Sequence, residues 1–187
     1  LVSSVRLDVS IESVARYFGG NGYKGNQKTN DRIRHAIDEV SGLITPRWTY
    51  TLYPVSSMTP GKEVILENGV KLSIPDCTFD PDIRLVVVAI GTLGDKLEKR
   101  CRQLASQSKI YDATLFDAVG TAMLDVLGEK ICKRIEQDGK RSGLLQGIRF
   151  APGLEGYPLE QQQLLFQIAD NEAVDVFLNS SAIMTPA

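Results

Sequence analysis

Polar and apolar positions along the chain alternate between helical and extended patterns. "IESVARYFGG" predicts a short helix, with Ser10 as its cap and glycines at its end. A polar, glycine-rich stretch, "GGNGYKGNQKTN", reads as a loop. In "DRIRHAIDEVSGLI", Ile33, Ala36, Ile37, Val40 and Leu43 recur at helical spacing, which predicts a helix capped by Asn30 and stopped by Thr45-Pro46. "RWTYTLYPV" alternates, with Trp48, Tyr50, Leu52 and Pro54 on one side, and predicts a strand.

Two short strands, "KEVILENG" and "VKLSIP", are joined by Asn68-Gly69, a hairpin signal. The continuous apolar run "RLVVVAIGTLG" predicts a buried central strand that enters a helix, "DKLEKRCRQLASQ", at Thr92 or Gly94. The longest element is a helix from about Ile110 to Gln137. Phe116, Val119, Met123, Leu127 and Ile131 form its apolar stripe, and Asp117, Thr121, Asp125, Glu129 and Lys133 its polar one. Small residues, Gly120 and Ala122 among them, let neighbours approach closely. "QDGKRSG" is expected to break this helix. "LEQQQLLFQIA" is expected to form another, starting at Pro158 or Leu159 with Leu164, Leu165 and Ile168 inward. "AVDVFLNSSAIM" closes as a strand pair or a strand and bend. The mixture, without a βαβ rhythm, predicts an α+β fold: a twisted, mostly antiparallel sheet packed with helices around the long helix.

With 187 residues, one domain covering 1–187 is expected, and so are truncated chain ends. A net charge of -2 gives no electrostatic footprint for nucleic acid. No apolar run reaches the ~20 residues of a membrane helix, and the start lacks the features of a signal peptide. Cys77, Cys101 and Cys132 are scattered, which suggests a reducing, cytoplasmic setting rather than a disulfide framework. His35 is the one histidine and no CxxC pair exists, so a zinc site or a Ser-His-Asp triad has almost nothing to be built from, histidine chemistry is left only to His35, and no metal is expected. Its helical position reads as a surface or boundary residue.

"FGGNGYKGN" follows a helix and lacks Gly-Lys-Ser/Thr, so it reads as a plain loop rather than a phosphate loop. "AIGTLGDK" leads a strand into a helix, which is either a simple turn or a weak anion site. The stripe of Asp117, Thr121, Asp125 and Glu129 either faces water or offers carboxylates to an amine-bearing ligand.

The densest local signal is "RFAPGLEGYPLEQQ". Pro152 and Pro158 restrict the backbone, and Gly153 and Gly156 permit conformations closed to other residues. Arg149 can grip a carboxylate with two prongs, and Tyr157 can lie against a sulfonium cation or an aromatic group. Amides near Leu159 and Glu160 add donors. Together these suit a small zwitterion.

"IRFAPGLEGYPLEQQ", "FLNSSAIMTPA", "VARYFGGNGYKG", "LITPRWTYTLYPV", "AIGTLGDKLEKRCRQLA" and "DATLFDAVGTAMLDVLGEKI", in their order, resemble the activation domain of cobalamin-dependent methionine synthase, and more closely its short, free-standing relatives. The resemblance spans nearly the whole chain. It implies a domain that binds S-adenosylmethionine and faces a corrinoid, cobalamin, carried by a partner: a separate corrinoid protein or the methionine synthase core modules. It implies support of reductive methylation of the cob(II) form, with a flavodoxin-like electron donor.

On that resemblance the ligand loop falls on Arg149, Phe150, Ala151, Pro152 and Gly153, with Arg149 on the methionine carboxylate. The closing run falls on Leu178, Ser181, Met184 and Pro186 and would line the other side of the pocket. Two positions depart from the family. Leu154 stands where tyrosine is usual, with Tyr157 three residues on. Thr121 stands at the acidic position of the long helix, with Asp117 and Asp125 one turn away. These departures suit an alternative, a docking or capping module for a corrinoid protein that lacks the small ligand. A third reading is an enzyme using the carboxylates of Asp117, Asp125 and Glu129.

Overall fold

The structure is a computed structural model that describes residues 5–20, 25–74, 83–154 and 156–186. Cys77 and positions 21–24 of the glycine-rich loop lie outside the described residues. The chain forms two compact units. The first takes the described residues of 1–47, 91–132 and 186, and the second those of 48–90 and 133–185.

The first unit is helical. Helix α1 (Ile11–Gly19) opens with a capping box: Ser10 accepts from the Ser13 amide, and Ser13 accepts from the Ser10 amide. Helix α2 (Gln27–Leu43) begins four residues earlier than the apolar pattern suggests. Its cap is Asn26, not Asn30: the Asn26 side-chain Oδ1 accepts from the Thr29 amide at 3.0 Å. The first turn is polar because it faces out, and Gln27 donates to Asp31 one turn on.

Helix α3 (Asp95–Ser106) follows Gly94, whose φ of 83° is left-handed. Helix α4 (Ile110–Arg141) gives its residues up to Cys132 to this unit. Val14, Ile33, Val40, Val119, Met123 and Leu127 are all but sealed from solvent. Gly120 gives Leu97 its place: a Cβ at that position would stand 2.6 Å from Leu97 Cδ2, so the leucine would have to move. Tyr17 donates its hydroxyl proton to Asp125, joining α1 to α4.

The second unit holds most of a four-stranded sheet in the order β3-β2-β1-β4. Its strands are β1 (Arg47–Thr59), β2 (Glu63–Leu66), β3 (Lys71–Ser73) and β4 (Leu85–Thr92). β1 pairs antiparallel with β2 through a register shift between Val55 and Ser57, and β2 pairs antiparallel with β3. The Asn68-Gly69 turn is present, with Gly69 at φ 83° and the Leu66 amide bonded to the Val70 carbonyl.

On β1 the side carrying Leu52 and Pro54 is exposed, and the opposite residues Tyr53 and Val55 pack on the Val64, Leu66 and Leu72 cluster. β4 is at the sheet's edge, not its centre. Its continuous apolar run has another cause. Ile90 packs against Val174 and Val176, so this edge strand is covered by the end of the chain.

Helix α4 also outlasts its predicted end. Gln137-Asp138-Gly139 stays helical, because Asp138 accepts from Arg134 at 2.6 Å and from Arg141 at 3.1 Å. Gly143, at φ 70°, then turns the chain. Helix α5 (Gln161–Ile168) sets Leu164, Leu165 and Ile168 on the sheet cluster. Tyr53 donates to the Ile168 carbonyl, and the Gln161 side chain accepts from the Ser73 amide. A two-stranded antiparallel ribbon of β5 (Phe177–Leu178) and β6 (Met184–Thr185) closes the unit. The whole is an α+β fold with a curled antiparallel sheet. Among the described residues, no helix is long and apolar enough to cross a membrane.

Candidate functional site

The connection between α4 and α5 is built from two linked turns. The Leu154 amide bonds to the Ala151 carbonyl at 3.0 Å around Pro152-Gly153. Proline second and glycine third, with Gly153 at φ 83°, is what a type II turn demands. The Tyr157 amide then bonds to the Leu154 carbonyl, with Gly156 at φ 77°. The Gly153 amide bonds to the Tyr157 carbonyl at 2.8 Å and ties the two turns together.

Tyr157 is 7% exposed, and its ring meets that of Phe150 at a centroid distance of 6.0 Å and a tilt of 50°. Burial pushes its phenol above the ordinary value. It therefore serves as the hydrophobic anchor of the turns. Arg149 is exposed at their entrance, and Leu154 is exposed at their tip.

The amides of Gln161, Gln162 and Gln163 bond to the carbonyls of Pro158, Leu159 and Glu160, so the entry to α5 is a tightened turn. Ser181 lies exposed in the loop between β5 and β6. That loop is organised by Asn179, whose side-chain oxygen accepts from the Ser181 amide at 2.9 Å and the Ile183 amide at 3.1 Å. Ala182 sits in the left-handed region at φ 57°.

One bond couples the double turn's helix to this loop: Gln162 Nε2 donates to the Ala182 carbonyl at 3.0 Å, both residues being buried. Gln162 escaped the sequence reading. Its signal is a polar residue in helical register with Leu165 and Phe166, inward positions of α5.

The sequence-predicted site residues divide between the units. Arg149, Phe150, Ala151, Pro152, Gly153, Tyr157 and Ser181 belong to the second, and Asp117, Thr121 and Asp125 to the first. Asp117 and Asp125 are exposed on α4. Asp125 accepts from Tyr17, and the half-buried Thr121 donates back to the Asp117 carbonyl at 3.0 Å. Burial, then the nearby charges of Asp117 and Glu98, push the Cys101 thiol up and leave it a poor nucleophile. His35 is exposed on α2. Among the described residues no cluster of three or more His, Cys, Asp or Glu could hold a metal ion.

The sequence matches no protein-family model and no curated protein. The structure does match a solved one. It resembles the crystal structure of the MetH reactivation domain bound to AdoHcy with a TM-score of 0.65, at 14% sequence identity, over 95% of this chain and 73% of that one. At that identity the likeness is one of architecture, and the chain has the fold of the MetH reactivation domain.

Proposed function

We propose that residues 1–187 form one activation-type domain that binds S-adenosylmethionine and supports reductive methylation of a cob(II) cofactor. That cofactor would be carried by a partner, either a separate corrinoid protein or the core modules of a methionine synthase. The observation that carries this reading is the fold shared with a reactivation domain bound to AdoHcy, together with a type II turn at Pro152-Gly153, three residues after Arg149.

The residues present suit the ligand. Arg149 would take its carboxylate with paired hydrogen bonds. The Phe150–Gly153 backbone, held open by glycine, would lie close to the rest of it. Ser181, on the loop that Gln162 ties to α5, would add a hydroxyl. When bound, S-adenosylmethionine supplies the methyl group, and a flavodoxin-like donor would supply the electron. This chain's task would be to orient the ligand and to exclude water.

A second reading, a capping module that docks on a corrinoid protein without the small ligand, is favoured by two residues. Leu154, 61% exposed, offers an apolar tip where the resembled family has tyrosine. Thr121 offers no carboxylate, and its hydroxyl donates to its own helix. Calorimetric titration with S-adenosylmethionine and with AdoHcy, beside Arg149→Ala, separates the two. Binding that Arg149→Ala abolishes supports the first reading. A folded parent that binds neither ligand supports the second.

A further inference from the structure

Within the first unit, the helices line an open cleft of about 850 Å³, within the size range of small-molecule sites. Helices α2, α3 and the start of α4 line it. Its buried lining is apolar: Leu104, Leu115 and Phe116 are each 5% exposed or less. The rest of its lining is mostly charged, exposed at Lys28, Asp31, Arg32 and Lys109 and half-buried at Glu39, Arg100 and Asp112, with four fixed cations against three carboxylates.

The three carboxylates are engaged. Asp112 takes Arg32 at 2.6 Å, Glu39 takes Arg100 at 3.0 Å, and Asp31 takes Gln27 and Arg34. The two lining arginines are further held over aromatic rings, Arg32 4.0 Å from the Tyr111 centroid and Arg100 6.0 Å from that of Phe116. The pairs therefore fix the walls rather than await a ligand. The side chains of Lys28, His35 and Lys109 line the same cleft and make no hydrogen bond or ion pair among the described residues. The backbone of Lys109 is held in place. It follows Ser108, which is left-handed at φ 60°, and its amide bonds to the Leu104 carbonyl at 2.9 Å.

We propose that this cleft binds a small organic anion with an apolar body, its anionic group taken by Lys28, His35 and Lys109 and its body laid on Leu104, Leu115 and Phe116. The site is distinct from the one proposed above for S-adenosylmethionine, whose sulfonium and amine make that ligand cationic overall. A net positive cleft disfavours it.

The probe is 8-anilinonaphthalene-1-sulfonate, an aromatic monoanion read by fluorescence, with its place mapped by backbone amide shifts. The result expected is one site, with amide shifts concentrated on α2, α3 and the start of α4. In Lys28→Glu/Lys109→Glu its affinity falls about ten-fold or more, while Lys28→Arg/Lys109→Arg keeps it. Leu154→Ala, on the other unit, leaves it unchanged. Thermal melts of each variant establish that it is folded. Equal affinity in the Glu and Arg variants, shifts confined to the exposed leucines of 145–159, or displacement of the probe by S-adenosylmethionine would each overturn the proposal.

Discussion

Gln162 donates from its side-chain amide to the backbone carbonyl of Ala182, and the two are 20 residues apart in the chain. The acceptor sits where backbone strain is concentrated, because Ala182 is held at φ 57°. Replacing Gln162 with leucine keeps the apolar packing and orphans a buried carbonyl. The expected cost is about 1–3 kcal/mol by chemical denaturation. Gln162→Leu should also weaken S-adenosylmethionine binding if Ser181 contributes to the site, because its loop loses this tie. Unchanged stability would mean that the carbonyl finds water instead.

Gly120 and Leu97 should be coupled. Alanine at 120 improves helix propensity by up to about 1 kcal/mol but forces Leu97 to move. In a Leu97→Ala background the obstruction is gone. Gly120→Ala should then be more favourable by about 1 kcal/mol than in the parent, as a double-mutant cycle will measure. Additivity would show that Leu97 has room to yield.

On the acid side, the hydrogen bond from Arg134, then that from Tyr50, holds the Asp138 carboxyl below the ordinary carboxylate value. A lowered folded value contributes stability that is present above about pH 4, near the unfolded value, and is lost as pH falls through the folded one. Asp138→Asn should therefore reduce stability at neutral pH and flatten its decline in acid. Denaturation midpoints between pH 2 and about 6 test this.

On the alkaline side, three phenols titrate late. Tyr17 is raised by its hydrogen bond to Asp125, Tyr50 by that to Asp138, and Tyr157 by burial. Raised folded values contribute stability that is present below about pH 10 and is lost as pH climbs through them. Absorbance at 295 nm should show a late-titrating component that shrinks in Tyr17→Phe, Tyr50→Phe and Tyr157→Phe. An identical titration curve for all three variants would contradict these contacts.

Local signals were the ones the sequence displayed openly. Ser10 as a cap and Asn68-Gly69 as a hairpin turn act through their own chemistry, and each is found where expected. Signals that depend on distant partners were misleading or silent. Gln27 and Lys28 are polar because they are exposed at the start of α2, so polarity imitated a loop. β4 is apolar because the end of the chain covers it, so hydrophobicity imitated a central strand. Asp138 extends α4 past a glycine through Arg134 and Arg141, with Tyr50 of β1 also donating to it. At the candidate site the prolines and glycines marked a constrained loop, but its two linked turns come from the backbone bonds of Leu154, Tyr157 and Gly153. The burial of Tyr157 and the tie from Gln162 were not legible, since both are set by packing between segments.

The alternation of the two units along the chain bears on how the gene can be cut. Each unit is assembled from separate stretches, and the boundaries fall at Arg47-Trp48 inside β1, Ile90-Gly91 inside β4 and Cys132-Lys133 inside α4. No single stop codon or protease nick releases either unit as one continuous peptide. Fragments made at the loops would each carry part of both. Either fragment expressed alone would therefore leave both units incomplete.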